Sequence, residues 1–81
     1  MEAYDRLIEQ LADLEHERWS GWMRYMFANW NEENIARWKW QMVTPYSELP
    51  EHSKESDRKE VRKTMRIVDA YIAQRIAEAG S

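Results

Sequence analysis

The 81-residue chain has no cysteine, which excludes a disulfide framework and a thiolate metal site. Two glycines and two prolines are too little turn material for the many reversals of an all-β fold. No apolar run approaches the roughly 18 residues that a membrane span needs, and no signal-peptide pattern precedes the domain. A P-loop, a dinucleotide fingerprint and an EF-hand loop are missing as well. With 12 Lys and Arg against 15 Asp and Glu, a net charge of −3, the chain is too acidic for a general DNA or RNA binder, whose affinity comes from phosphate neutralisation. What it does have is tryptophan: five, beside four tyrosines and one phenylalanine. Its 43% hydrophobic and 33% charged residues give the balance of a globular protein rather than a disordered one. Residues 1–81 therefore read as a single small all-α domain, cytoplasmic and with no membrane partner. A chain of this length buries only about 60% of its unfolded surface, so its core is thin.

Hydrophobic periodicity divides the chain into three helices. The first is expected over residues 3–27, where Tyr4, Leu7, Leu11, Leu14, Trp22 and Met26 recur in steps of three and four, with Arg18 interrupting the stripe. Ile8, Trp19 and Met23 widen it. Gly21 sits mid-helix at a cost of about 1 kcal/mol relative to Ala, either as a point of close approach or as a tolerated weak spot. Residues 29–34 form a polar break in which Asn31 is placed to cap a second helix over residues 32–42. Ile35, Trp38 and Met42 share a face of that helix; Trp40 falls off it, and Trp30 lies in the break. Pro45 and Pro50 make residues 43–50 a structured connector. Ser53 or Ser56 is the expected cap of the third helix, which runs to about residue 79, ahead of Gly80. Its core stripe is Val61, Met65, Val68, Ile72 and Ile76. Lys54, Arg58 and Arg62 form a separate ridge. Gly80 and Ser81 are expected to fray.

Charge is distributed unevenly. Residues 1–17 carry six acids and one base, Arg6, whereas residues 51–66 carry six bases and four acids. A local basic face suits a small anion or the acidic segment of a neighbouring chain. Catalysis finds little support. Glu15-His16-Glu17 cannot be a helical metal pair, because adjacent helical residues diverge by about 100°. His16 and Ser20 share a face, but no glycine-rich oxyanion turn accompanies them. No catalytic residue, metal site or cofactor is assigned. The aromatics suggest more, since a Trp ring stacked on a base contributes about 1–3 kcal/mol and a nearby Arg can bind phosphate bidentately. Trp22 and Trp38 fall on helical stripes and read as core. For Trp19, Trp30 and Trp40, off those stripes, a place in a site or interface and ordinary packing are evenly matched readings. The plainest reading of the basic ridge is a solvated face, and of His16 a structural side chain.

Two stretches carry a family resemblance. His16-Glu17-Arg18-Trp19, followed by Gly21-Trp22, resembles the H-E-x-W and G-W elements of the RyR domain, the repeat named after ryanodine receptors. Thr44-Pro45-Tyr46-Ser47-Glu48-Leu49-Pro50-Glu51, followed by Lys54, Asp57 and Arg58, is similar to that domain's second and more specific element, P-Y-x-x-L-P-E…K…D-R. Together they span about half the chain, residues 15–58, and the whole pattern also resembles small phage-type proteins. One departure is plain: family members place a longer stretch before the G-W and follow it with Tyr-Gly. The resemblance implies a helical nucleotide-binding module. In ryanodine receptors two such repeats face each other, and the Trp of each H-x-x-W is implicated in holding an adenine. This nominates Trp19 as the stacking residue. Arg18 and Lys54 or Arg58 become candidates for phosphate, and His16, Trp22 and Tyr46 complete the candidate ligand-binding set. With one motif per chain, a two-Trp sandwich implies a homodimer, and C2 symmetry is the commonest choice.

The leading expectation is thus a non-enzymatic nucleotide-binding homodimer. The phage-type resemblance implies sequestration of a nucleotide second messenger of bacterial defence, a cyclic oligonucleotide or an ADP-ribose derivative. The alternative is a helical protein–protein interaction module with no small-molecule ligand, its acidic first helix and basic third helix docking on a partner and its extra tryptophans serving as anchors.

Overall fold

Long runs of helix formers with no internal proline produce two long helices, and a short one bridges them. The structure, a computed structural model, describes residues 2–80. Helix α1 is Ala3–Ala28, α2 is Glu32–Val43 and α3 is Glu51–Ala79, with one 3-10 turn over Tyr46–Glu48. No strand occurs among the described residues. The chain is an all-α, three-helix domain, and no helix among the described residues is long and apolar enough to cross a membrane.

The joints follow local chemistry. Asn29 ends α1, its N–H bonding the carbonyls of Tyr25 and Met26. Asn31 then caps α2 as expected, its side chain accepting the Asn34 N–H at 2.8 Å. The Asn34 amide reaches back to the Asn29 carbonyl at 2.7 Å and ties the break shut. Pro45 and Pro50 hold φ at −59° and −60°. The preset φ of Pro50 starts α3 at Glu51, and the N–H groups of Ser53 and Lys54 already bond the Pro50 carbonyl. Ser53 and Ser56 therefore lie inside the helix and cap nothing; the Ser53 hydroxyl instead lies 3.4 Å from the Gln41 amide of α2. Gly80 follows α3, its N–H on the Ile76 carbonyl, and Ser81 lies outside the described residues.

Helices α1 and α3 pack together, and one side chain sets their register. Arg18 does not interrupt the α1 stripe but continues it. Its Nε donates to Glu60 Oε2 at 2.9 Å and its Nη2 to Thr64 Oγ1 at 2.7 Å and to the Glu60 carbonyl. Beyond Arg18, Gly21, Tyr25 and Met26 of α1 share a cleft with His52, Ser53 and Ser56 of α3, which precede Glu60; the two helices run antiparallel. Leu7, Leu11, Leu14 and Met26 of α1 are half-buried, as are Thr64, Ile67, Val68 and Tyr71 of α3.

This register overturns the expected core of α3. Of its predicted stripe only Val68 is half-buried, while Val61, Met65, Ile72 and Ile76 stand open to solvent, Met65 at 44% and Ile76 at 67% exposure. The cause is rotation: the bonds from Arg18 turn Glu60 and Thr64 toward α1, and Ile67 and Tyr71 follow at helical spacing. Tyr4 on α1 and Met42 on α2, also expected inside, are exposed. No described residue is fully buried. The molecule measures 58 × 25 × 16 Å with a radius of gyration of 17.2 Å, where a compact chain of this length has about 12 Å. Its accessible surface is 6713 Å², against about 5,200 Å² for a compact monomer of this mass.

Candidate functional site

Helix α2 is short, and aromatic side chains dock it. At 12 residues it lies at the margin of what an isolated helix sustains. Trp38 meets Trp22 edge-on, with ring centroids 5.6 Å apart, Tyr25 at 6.2 Å and Trp30 at 6.3 Å. Trp22 and Tyr25 stack one turn apart on α1 at 5.6 Å. Such pairs contribute about 0.5–1.5 kcal/mol each beyond the area they bury. Trp38 is half-buried, but Trp22, expected in the core, remains 46% exposed, because the cluster borders an open cleft.

That cleft, about 1710 Å³, runs between α1, α2 and the start of α3. All four rings of the cluster line it, as does Gly21. A Cβ at Gly21 would meet nothing within 4 Å, so the glycine is no close contact within the chain; it leaves the cleft wall open there. Arg24, Arg37 and Lys39 also line the cleft, and none of them forms an ion pair with a described residue. Glu17, Asp57 and Glu60 supply the acidic part of the lining, and Glu60 is neutralised by Arg18 and Lys63. The Lys63 ammonium, and after it the Arg18 guanidinium, hold the Glu60 carboxyl below the ordinary glutamate range. A depressed folded-state pKa means that the unfolded chain binds the proton more readily, so this pairing stabilises at neutral pH and is lost as pH falls through that range. Urea midpoints of the wild-type protein are expected to drop more steeply across that acid window than those of Glu60→Gln; equal slopes would show that the pairing adds nothing.

The residues nominated from sequence fall in three places. Trp22 belongs to the cleft. Arg18 is committed to Glu60 and Thr64, with Glu15 at 3.5 Å as a further partner, and its side chain is only 23% exposed. It also touches the cleft, but its hydrogen bonds are already taken up by the fold. Trp19, 59% exposed, lies outside the cleft and stacks on His16 with centroids 6.0 Å apart. Tyr46, Lys54 and Arg58 gather at the start of α3. The Lys54 ammonium sits 5.7 Å over the Tyr46 ring, and Arg58 pairs with Glu51 at 2.6 Å and Glu55 at 3.3 Å. Those two bonds push Arg58 further up in pKa; Arg58 in turn holds the Glu51 carboxyl down, and Arg62, followed by Arg58, holds down that of Glu55. Arg62 pairs with Glu55 as well. Arg58 and Arg62 of the basic ridge are thus balanced by acids of their own helix, and the hollow beside them, lined by Tyr46, Asp57, Arg58, Val61 and Arg62, measures only about 390 Å³.

Arg24, Arg37 and Lys39 were not singled out by sequence reasoning. The signal available was that each follows or precedes an aromatic of the cluster by one residue: Arg24-Tyr25 and Arg37-Trp38-Lys39. Among the described residues no group of three or more His, Asp and Glu is arranged to hold a metal ion. No family model matches the chain, and neither a curated protein nor a solved structure matches it. The RyR resemblance therefore rests on its own residues.

Proposed function

We propose that the cleft between the three helices binds a nucleotide and holds it without turning it over. One observation carries this reading: four aromatic rings, Trp22, Tyr25, Trp30 and Trp38, and three cations with no carboxylate partner among the described residues, Arg24, Arg37 and Lys39, line a single open cleft. Rings offer π-faces to bases, and unpaired guanidinium and ammonium groups meet phosphates without first breaking an internal salt bridge. The size bears on the ligand class. A pocket for one drug-sized molecule encloses roughly 300–1,000 Å³, and this cleft is larger, which favours a ligand with more than one base, such as a cyclic oligonucleotide. Sequestration of a nucleotide messenger, the role the phage-type resemblance implies, is consistent with such a site.

The test is a thermal-melt screen against ATP, ADP-ribose, NAD and cyclic di- and trinucleotides. A ligand at 100 times its Kd adds about 2.7 kcal/mol, which at about 4–8 °C per kcal/mol is a rise of roughly 10 °C or more. The rise is expected to vanish in Arg37→Ala and Trp30→Ala and to persist in Trp19→Ala, and the ligand should be recovered chemically intact. The reverse pattern, loss in Trp19→Ala alone, would move the site off the cleft to the residues nominated by resemblance. A flat screen on folded protein would reject the ligand and leave the interaction reading, for which the open apolar side of α3 is the supporting observation.

A further inference from the structure

The geometry points to a second copy of this chain as the partner of the exposed α3 stripe, packed antiparallel across a two-fold axis near Val68. This inference does not rest on the ligand reading, since Val61, Met65, Ile72 and Ile76 do not line the cleft.

The stripe extends onto α1. Arg18 bonds both Glu60 and Thr64. Trp19 follows Arg18 by one residue, Val61 follows Glu60 and Met65 follows Thr64. On two antiparallel helices, one residue past the line of contact turns about 100° to the same side of the layer. Trp19 therefore shares a face with Val61 and Met65, and Ile8, three turns before Trp19, lies on it too. All four are exposed. A continuous apolar surface of this kind on a helical layer is where soluble chains associate.

Three observations select a second copy as the occupant. The first is area. The chain exposes about 1,500 Å² more than a compact monomer of its mass, and a standard interface covers about 800 Å² on each partner, so one such interface accounts for about half the excess. The second is spacing. The stripe runs 61, 65, 68, 72, 76, nearly the same read in either direction. Antiparallel pairing sets Val61 against Ile76 of the second copy and Met65 against Ile72, and brings the two copies of Val68 to either side of the axis, the self-complementarity that a two-fold interface requires. The third is charge. Because α1 and α3 are antiparallel, residues 2–17 and 67–80 form one end of the molecule, with eight carboxylates against two cations, a net of −6. Residues 18–66 form the other, with ten cations against seven carboxylates, a net of +3. The two ends are kept apart along the 58 Å length of the chain. Antiparallel pairing lays the acidic end of each copy beside the basic end of the other.

The absence of cysteine makes the arrangement directly testable, since any cysteine introduced is the only one. In the full-length chain, Val68→Cys is expected to cross-link to itself under mild oxidation, because the two-fold axis brings the two positions together. Val61→Cys and Ile76→Cys should each remain uncross-linked alone and form a mixed disulfide dimer when combined. The wild-type protein should sediment at twice the chain mass at micromolar concentration, and Ile72→Glu should halve that mass. A monomeric wild-type protein, a Val68→Cys that stays reduced, or a Val61→Cys that cross-links to itself would each overturn the proposal. The cross-links decide it even if Ile72→Glu fails to fold.

Discussion

Arg18→Ala is expected to cost about 2–3 kcal/mol and to lower the melting temperature by roughly 10–20 °C. Arg18 makes three bonds to α3, two of them to Glu60 and one to Thr64. Hydrogen bonds to charged groups contribute about 1.5–3 kcal/mol each when shielded, and the figure here is reduced because the Glu60 side chain is 41% exposed. For a chain of this length total stability is of the order of 4–12 kcal/mol, so the loss is a large fraction of it. Arg18→Lys is expected to recover little, because one ammonium cannot serve a carboxylate, a carbonyl and a hydroxyl in the fixed fork geometry of a guanidinium. Thr64→Val removes a single partner and should cost about 0.5–1.5 kcal/mol. Urea unfolding of the three variants measures the order. An Arg18→Ala protein with the wild-type midpoint would refute the assignment of Arg18 as the residue that holds α1 to α3.

Trp38→Ala is expected to release α2 and to abolish ligand binding in the cleft. Burying a Trp fully contributes about 3–5 kcal/mol against Ala. Trp38 is half-buried, so about 2–4 kcal/mol is expected, including its three ring contacts. The local effect should exceed the global one. A helix of 12 residues has little stability alone, so without Trp38 the α2 amides are expected to exchange with solvent faster than those of α1 and α3. Trp40→Ala is the control: Trp40 is exposed and makes no ring contact, and its removal should change stability by no more than about 0.5 kcal/mol. Unchanged α2 protection in Trp38→Ala would show that the connector, not the aromatic cluster, places α2. The ligand and docking readings separate at this point, because Trp38→Ala should leave the α3 stripe and its pairing intact.

The division between sequence and tertiary structure runs through particular residues. Most of what depends on neighbours a few positions away was legible: the extent of each helix to within a residue or two at α1 and α2, the Asn31 cap, the proline connector, and the all-α class. These follow from helical periodicity, from side chains that bond their own backbone, and from the fixed φ of proline, none of which needs a distant partner. The start of α3 lies three residues ahead of the one a Ser53 cap implies, because Pro50 sets it directly.

Which face of a helix is inside was only half legible. On α1 the stripe of Leu7, Leu11 and Leu14 does turn inward. On α3 an equally regular apolar stripe turns outward, because Arg18 finds Glu60 and Thr64 across 42 and 46 residues and rotates the helix to reach them. Periodicity establishes that a stripe exists; what covers it is decided by long-range contacts, within the chain or from a second copy. The same holds for the candidate site. Aromatic surplus was visible in composition, and cations beside aromatics were visible in sequence. That Trp22, Tyr25, Trp30 and Trp38 converge, that Arg24, Arg37 and Lys39 line the same cleft without carboxylate partners among the described residues, and that Arg58 is already neutralised by Glu51 and Glu55, emerge only in the folded structure.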